Sequence, residues 1–261
     1  MKVKVLYEDS NVLAIDKLVG VLTHPDGRTK EVAITDLLLK KYPKIELVHR
    51  LDKDTSGVLL FAKNKKAHEF LKNQFSAPAL EIKQRVGLAD RQNRVKKVYH
   101  AIVSGFVKND HGIINKPIGR SPSDFRRRLS GRGARGAMRE AITEYKVLKR
   151  FEAPSQKISS RLTLPGVPGG TYATKKFLET PLSKFTYLEI KPKTGRTHQI
   201  RVHMKFLNHP VACDSLYAPK NNCPVGFLRL ALHAKSIEFR NLKGKTIKVE
   251  SPLPKEFSKM L

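Results

Sequence analysis

HRLDKDTSGVLLFAK, residues 49–63, sets one carboxylate, Asp52, behind a basic and an apolar residue and just ahead of a hydrophobic run. Within it GVLLFA, residues 57–62, is apolar throughout. A strand apolar on both faces reads as the centre of a sheet. Asp54 follows two positions after Asp52, and on an extended chain the two would point to opposite sides. They are therefore not expected to act on one bond as a paired acid and base, and only one of them should act. Taken alone, an aspartate beside Arg50 also reads as a surface ion pair of little energetic weight.

Working outward, VKVLYE (3–8) and VLAIDK (12–17) flank the turn Asp9-Ser10-Asn11 and predict a hairpin. VAITDLLLKKY (32–42) predicts a helix ended by Pro43. Downstream, Asn64 is placed to cap a helix whose Ala67, Phe70, Leu71 and Phe75 recur at helical spacing. VYHAIVSGFV (98–107), TEYKVLKRF (143–151) and TYLEIK (186–191) read as strands. A turn at 192–195 leads into RTHQIRVHMKFLNHP (196–210), a helix with Ile200, Met204 and Leu207 on one face. LRLALHAKSIEF (228–239) and KTIKVESPLP (245–254) supply the closing strands. Helices and strands mix without βαβ alternation, and no repeat or linker divides the chain. This predicts a single α+β domain over residues 1–261 with a mainly antiparallel sheet.

Charge is the strongest compositional signal. Lys and Arg number 51 against 23 Asp and Glu, a formal net charge of +28. Such an excess repels itself unless it faces a polyanion, and nucleic acid is the first expectation. No apolar stretch approaches the roughly 20 residues of a bilayer span. MKVKVLYEDS turns acidic before any signal-peptide core could form, so the protein is expected to be cytoplasmic. In that reducing compartment Cys213 and Cys223 are expected as free thiols. Residues 120–139 hold Arg120, Arg126, Arg127, Arg128, Arg132, Arg135 and Arg139 against Asp124 alone. Their glycines and serines predict a loop, suited to gripping phosphates. Leu80–Val95 and Pro154–Ser183 read as two further excursions from the framework.

Other chemistries fit less well. His198, His203 and His209 are five and six residues apart, which does not put pairs on one helix face, and no metal is expected. Ser56 lacks the G-x-S-x-G elbow of a hydrolase. Gly195-Arg196 and Gly131-Arg132-Gly133 do not match a phosphate loop.

HRLDKDTSG together with GRTHQIRVHM resembles the signature of the RluA family of pseudouridine synthases, which modify large-subunit ribosomal RNA and some tRNAs. VYHAIVSG with Lys97 and Tyr99, KPIGR, AITEY, LALHAKSIEF and ESPLP resemble further family segments in the same order along nearly the whole chain. The resemblance implies a mixed, mainly antiparallel central sheet flanked by helices, with an active-site cleft across it. It places the catalytic aspartate on Asp52, the active-site tyrosine on Tyr99, and the arginine that pairs with the aspartate on Arg201. Leu18 follows Lys17 where the family has proline. Strand signals begin almost at Met1, so the extra N-terminal RNA-binding domain of many relatives is not expected.

Pseudouridine formation breaks the N1–C1′ bond of a uridine, turns the uracil and rejoins it through C5. No atom enters or leaves, so no cofactor is expected. Asp52 could attack C1′, or stabilise charge and take the C2′ proton to give a glycal. The uridine must leave its stack, and Tyr99 would repay part of that cost, with Leu232 pressing the other face of the base. Arg50 would help fill the gap. Lys96, Lys97, Arg196 and the arginines at 120 and 126–128 would hold phosphates of a structured RNA, rRNA or tRNA. A monomer is expected. The rival reading is a non-catalytic RNA-binding or ribosome-assembly factor, which would have no need of a buried aspartate.

Overall fold

A computed structural model describes residues 3–27, 29–76, 94–131, 133–157, 181–220 and 222–260. Strands β1 (Lys4–Glu8) and β2 (Val12–Lys17) form the predicted antiparallel hairpin. Asp9 fixes its turn by accepting the backbone N–H groups of Asn11 and Val12 at 2.8 and 2.7 Å. After the short β3 (Glu46–Leu47) comes β4 (Ser56–Ala62), buried at every position. β4 lies between β2, antiparallel to it, and β13 (Leu232–Arg240), parallel to it. The sheet continues through β5 (Lys96–Ser104), β11 (Leu182–Pro192), β10 (Ile142–Lys157) and β12 (Asn222–Pro224). β14 (Thr246–Glu250) adds to β13 and β6 (His111–Asn115) to β10. Among the described strands, β4–β13 is the one parallel pairing, so the sheet is mixed and mainly antiparallel.

Gly57 makes that parallel contact possible. Its φ is +114°, and a Cβ there would lie 2.2 Å from the Ala234 carbonyl oxygen. Only a residue without a side chain lets the two backbones approach so closely.

β4 alternates its side chains between two cores, as a strand must. Val58, Leu60 and Ala62 pack with Ala67 and Leu71 of α2 (Lys65–Ser76), whose first turn Asn64 caps by accepting the Ala67 N–H at 2.9 Å. Leu59 and Phe61 face the other way, onto Ile34 and Leu38 of α1 (Ile34–Leu39). That helix is shorter than the sequence predicts. Asp36 ties down its start through the Ala33 N–H, and Lys41 and Tyr42 turn back onto the Leu38 carbonyl. A third core joins β5 and β11 to Ile200 and Met204 of α3 (Gln199–Phe206), and Phe257 of α4 (Lys255–Ser258) packs into it.

Two expectations are corrected. The arginine segment is a loop only in part: Arg126 and Arg127 lie in a turn, whereas Arg120, Arg128, Arg135 and Arg139 lie on strands. These strands form a separate three-stranded antiparallel sheet, β7 (Ile118–Arg120), β8 (Arg128–Ser130) and β9 (Arg135–Arg139). Gly131 and Gly133, at φ +88° and +86°, make the turn between β8 and β9, so the glycines punctuate short strands instead of preventing them. Cys213 and Cys223 are joined in a disulfide, with Cα atoms 4.9 Å apart. β12 pairs with β10 and carries Cys223 to that position, a long-range contact that an argument from compartment does not see. Arg132, and most of the excursions at 80–95 and 154–183, lie outside the described residues. The ends of the second excursion extend β10 and β11.

Candidate active site

Each residue of the opening motif has a different structural duty. His49 Nε2 accepts the Leu60 N–H at 3.1 Å, fixing the motif against β4, and its ring stacks on Phe75. Burial, then the charge of Lys97, lowers its pKa to about 3, so it is a neutral acceptor. Leu51 is buried, and its carbonyl accepts the Thr23 hydroxyl at 2.7 Å. Arg50 between them is exposed. Asp52 opens a turn closed by the Thr55 N–H onto its own carbonyl at 3.0 Å. The chain here is thus a turn, not the extended segment predicted, and Asp54 is left exposed while Asp52 lines the cleft. Lys17, fully buried, holds the turn from behind by donating to the carbonyls of Leu18, Val21 and Lys53 at 2.8–2.9 Å.

Ser56 and His233 are hydrogen-bonded at 2.9 Å between β4 and β13, both buried. The contact fastens two strands, and neither residue lines the cleft.

The cleft is a concavity of about 410 Å³. Among its walls are Arg50, Asp52, Lys97, Tyr99, Arg196, His198, Arg201 and Leu232. Strand β5 presents Lys97 and Tyr99 from alternate positions, so they share one face. Burial and the charge of Asp52 push the Tyr99 phenol up, which keeps it protonated. Burial, then Arg196, lowers the Lys97 ammonium to about 8. Its Nζ donates to the Thr194 carbonyl at 3.2 Å.

Arg201 comes from α3 and faces Asp52, with Nη1 to Oδ2 at 3.4 Å. Its stronger partner is another residue. Nε and Nη2 make a two-toothed pair with Asp214 at 2.8 and 2.7 Å, and the Asp214 side chain is fully buried. Asp214 also accepts the N–H groups of Leu216 and Tyr217. Burial alone would weaken the charge of Arg201, but the Asp214 hydrogen bonds and the two carboxylates more than reverse this and hold its pKa above the usual range. His198 Nε2 lies 3.8 Å from Asp52 Oδ2, and the Tyr217 ring covers the Arg201 guanidinium at 5.0 Å. Sequence reasoning missed Asp214 and Tyr217. The available signal was a carboxylate inside the otherwise nonionic stretch VACDSLYA.

The remaining predicted contacts lie around the cleft or away from it. Arg196 Nε donates to the Glu140 carbonyl at 2.9 Å on the rim. Lys96 is exposed and pairs with Glu238 at 2.7 Å. Arg120, Arg135 and Arg139 are exposed on the small sheet. Arg126 is held by Asp124 at 2.8 and 3.0 Å, Arg127 lies over Tyr217, and Arg128 donates to carbonyls of its own turn. The three clustered histidines have separate partners. His198 meets Tyr217, His203 meets Thr143 and the Lys116 carbonyl, and His209 meets the Ser104 carbonyl. Among the described residues no helix is long and apolar enough to cross a membrane.

Over residues 11–206 the chain matches the family described as RNA pseudouridylate synthase. It belongs to that family, and is an isomerase that converts uridine in RNA to pseudouridine. It is 30% identical over 271 residues to the uncharacterized RNA pseudouridine synthase YlyB of Bacillus subtilis, spanning 100% of this chain and 72% of that protein. It is 32% identical over 266 residues to ribosomal large subunit pseudouridine synthase D of Borreliella burgdorferi, spanning 98% of this chain and 66% of that one. The solved structure of Human RNA Pseudouridylate Synthase Domain Containing 1 shares the fold, with a TM-score of 0.67 at 22% identity over 97% of this chain and 84% of that chain.

Proposed function

We propose that this enzyme modifies uridines of structured RNA, large-subunit ribosomal RNA first, and that Asp52 is the group that acts on the ribose. The observation that supports the reading best is the position of Asp52. Its side chain is one-fifth exposed, in a cleft with an arginine against it and a tyrosine and a leucine in its walls. A flipped uridine entering there would lay its base between Tyr99 and Leu232 and its C1′ against the carboxylate. Two routes use the same carboxylate, attack on C1′ or removal of the C2′ proton, and in both Arg201 faces it at 3.4 Å. The ribosomal substrate is supported by the likeness to the Borreliella ribosomal large subunit pseudouridine synthase D.

The test uses large-subunit ribosomal RNA and tRNA from cells lacking this protein, mapped for pseudouridine before and after treatment with it. A ribosomal uridine that regains modification supports the proposal, and modification of tRNA alone overturns the choice of substrate.

RNA contacts would come from Arg50, Lys97 and Arg196 at the cleft and Arg120, Arg135 and Arg139 on the small sheet. About six such phosphate contacts give a salt slope near five, so doubling salt from about 100 to 200 mM should weaken RNA binding about thirtyfold. A titration showing little change would remove the phosphate contacts from the account. Lys97 adds a pH signature. It is charged below about 8 and neutral above, so its contribution to RNA affinity is lost as pH rises through that value. Wild type should lose about fivefold in affinity across this range beyond any loss shown by Lys97→Met. Parallel pH profiles for the two proteins would show that Lys97 does not meet RNA as a cation.

A further inference from the structure

We propose that Tyr217 is a positioning residue that ties the arginine-bearing sheet to Asp52 by fixing His198 with its Nε2–H toward that carboxylate. This rests on the reading of Asp52 as the reacting group.

Tyr217 is 3% exposed and meets both sides. Its ring lies 5.0 Å from the Arg201 guanidinium and 5.7 Å from that of Arg127. Its backbone N–H donates to Asp214, the anchor of Arg201, at 2.9 Å. Its hydroxyl oxygen accepts the backbone N–H of Arg128, the first residue of β8, at 2.8 Å. The same hydroxyl is 2.9 Å from His198 Nδ1.

Proton counting decides the tautomer. The phenol has one hydrogen, the Arg128 amide can only donate, and among the described contacts of the hydroxyl His198 Nδ1 is the one acceptor, so that hydrogen is assigned to Nδ1. A neutral imidazole that accepts at Nδ1 carries its proton on Nε2. Nε2 is the atom 3.8 Å from Asp52 Oδ2, so an N–H dipole faces the carboxylate. Burial, against the pull of Asp52, favours the neutral ring. His198 also has φ +56°, in the left-handed region that few side-chain-bearing residues adopt.

Packing explains the Tyr217 ring, which fills a cluster with Ile118, Ala141 and Val202. It does not explain the hydroxyl, since phenylalanine would pack as well. The hydroxyl joins β8 to the imidazole, and a shift of β8 on binding RNA would reach Asp52 through it.

The first measurement needs no RNA. Nitrogen NMR of histidine-labelled protein, with the His198 signals assigned by their loss in His198→Gln, should show an unprotonated Nδ1 and a protonated Nε2. Tyr217→Phe should lose that preference while the fold is kept. The second is single-turnover pseudouridine formation. Tyr217→Phe should be about tenfold slower, the worth of one hydrogen bond, with RNA affinity within about twofold. His198→Ala should be similarly slow, and the double variant no slower than the slower single, because both interrupt one chain. A protonated Nδ1 in wild type, an unchanged tautomer and rate in Tyr217→Phe, or effects that multiply in the double variant would each overturn the proposal. The expected tautomer shift in a protein whose wild type modifies no RNA would support the relay and count against the reaction assigned to Asp52.

Discussion

Asp52→Asn is expected to abolish pseudouridine formation, by at least about 10⁴-fold, while leaving RNA affinity within about threefold and folding close to wild type. The three parts of this outcome have separate causes. The amide matches the carboxylate in shape, so a uridine can still enter the cleft. It cannot attack C1′, remove a C2′ proton or balance a developing positive charge on the ribose, and the chemical step fails by either route. The fold survives because Arg201 does not depend on Asp52. Its two-toothed pair with Asp214, at 2.8 and 2.7 Å, remains when the longer 3.4 Å contact is weakened. Single-turnover assays on the RNA identified with wild-type enzyme, with filter binding and denaturation of the same preparation, check all three. A variant retaining a tenth of the activity would move the chemistry to another residue, and one that unfolded would make Asp52 a structural ion-pair member.

Much of this arrangement was legible because local pattern and long-range demand coincide. GVLLFA reads as a strand buried on both faces, and β4 occupies that position. Ile200 and Met204 at helical spacing placed Arg201 on a helix, but spacing could not say what the guanidinium would meet. Asp214 lies 13 residues further on, in a stretch with no helical or strand period. Its role arises from the folding of that stretch back over α3, and no local feature records the fold-back. The arginine segment misled for a different reason. Glycine and serine mark turns correctly, yet strands of three residues are too short to show alternation. The Asp52–Asp54 reading reached the right choice through the wrong backbone. A turn, not opposite faces of an extended chain, leaves Asp54 in solvent.

Arg201→Met is expected to be the most damaging substitution for stability, at about 3–5 kcal/mol, and to lose activity as well. Arg201 is 6% exposed at its side chain, between a fully buried Asp214 and the one-fifth exposed Asp52. Methionine fills most of the volume and removes the cation, leaving two carboxylates facing an apolar side chain. Asp52 can take water from the cleft. Asp214 cannot, and keeps only the N–H groups of Leu216 and Tyr217. The cost therefore falls chiefly on a residue that touches no substrate. Arg201→Lys separates charge from geometry. An ammonium restores one positive charge but cannot bond Asp214 with two teeth and still reach Asp52. It should recover part of the stability and little of the activity. Pairing Arg201→Met with Asp214→Leu tests the assignment directly, because removing both members of a buried pair costs less than removing one. If the double variant is more stable than Arg201→Met alone, the loss belongs to the stranded carboxylate. If the two losses simply add, Arg201 stabilises the protein by packing, and its charge serves only Asp52.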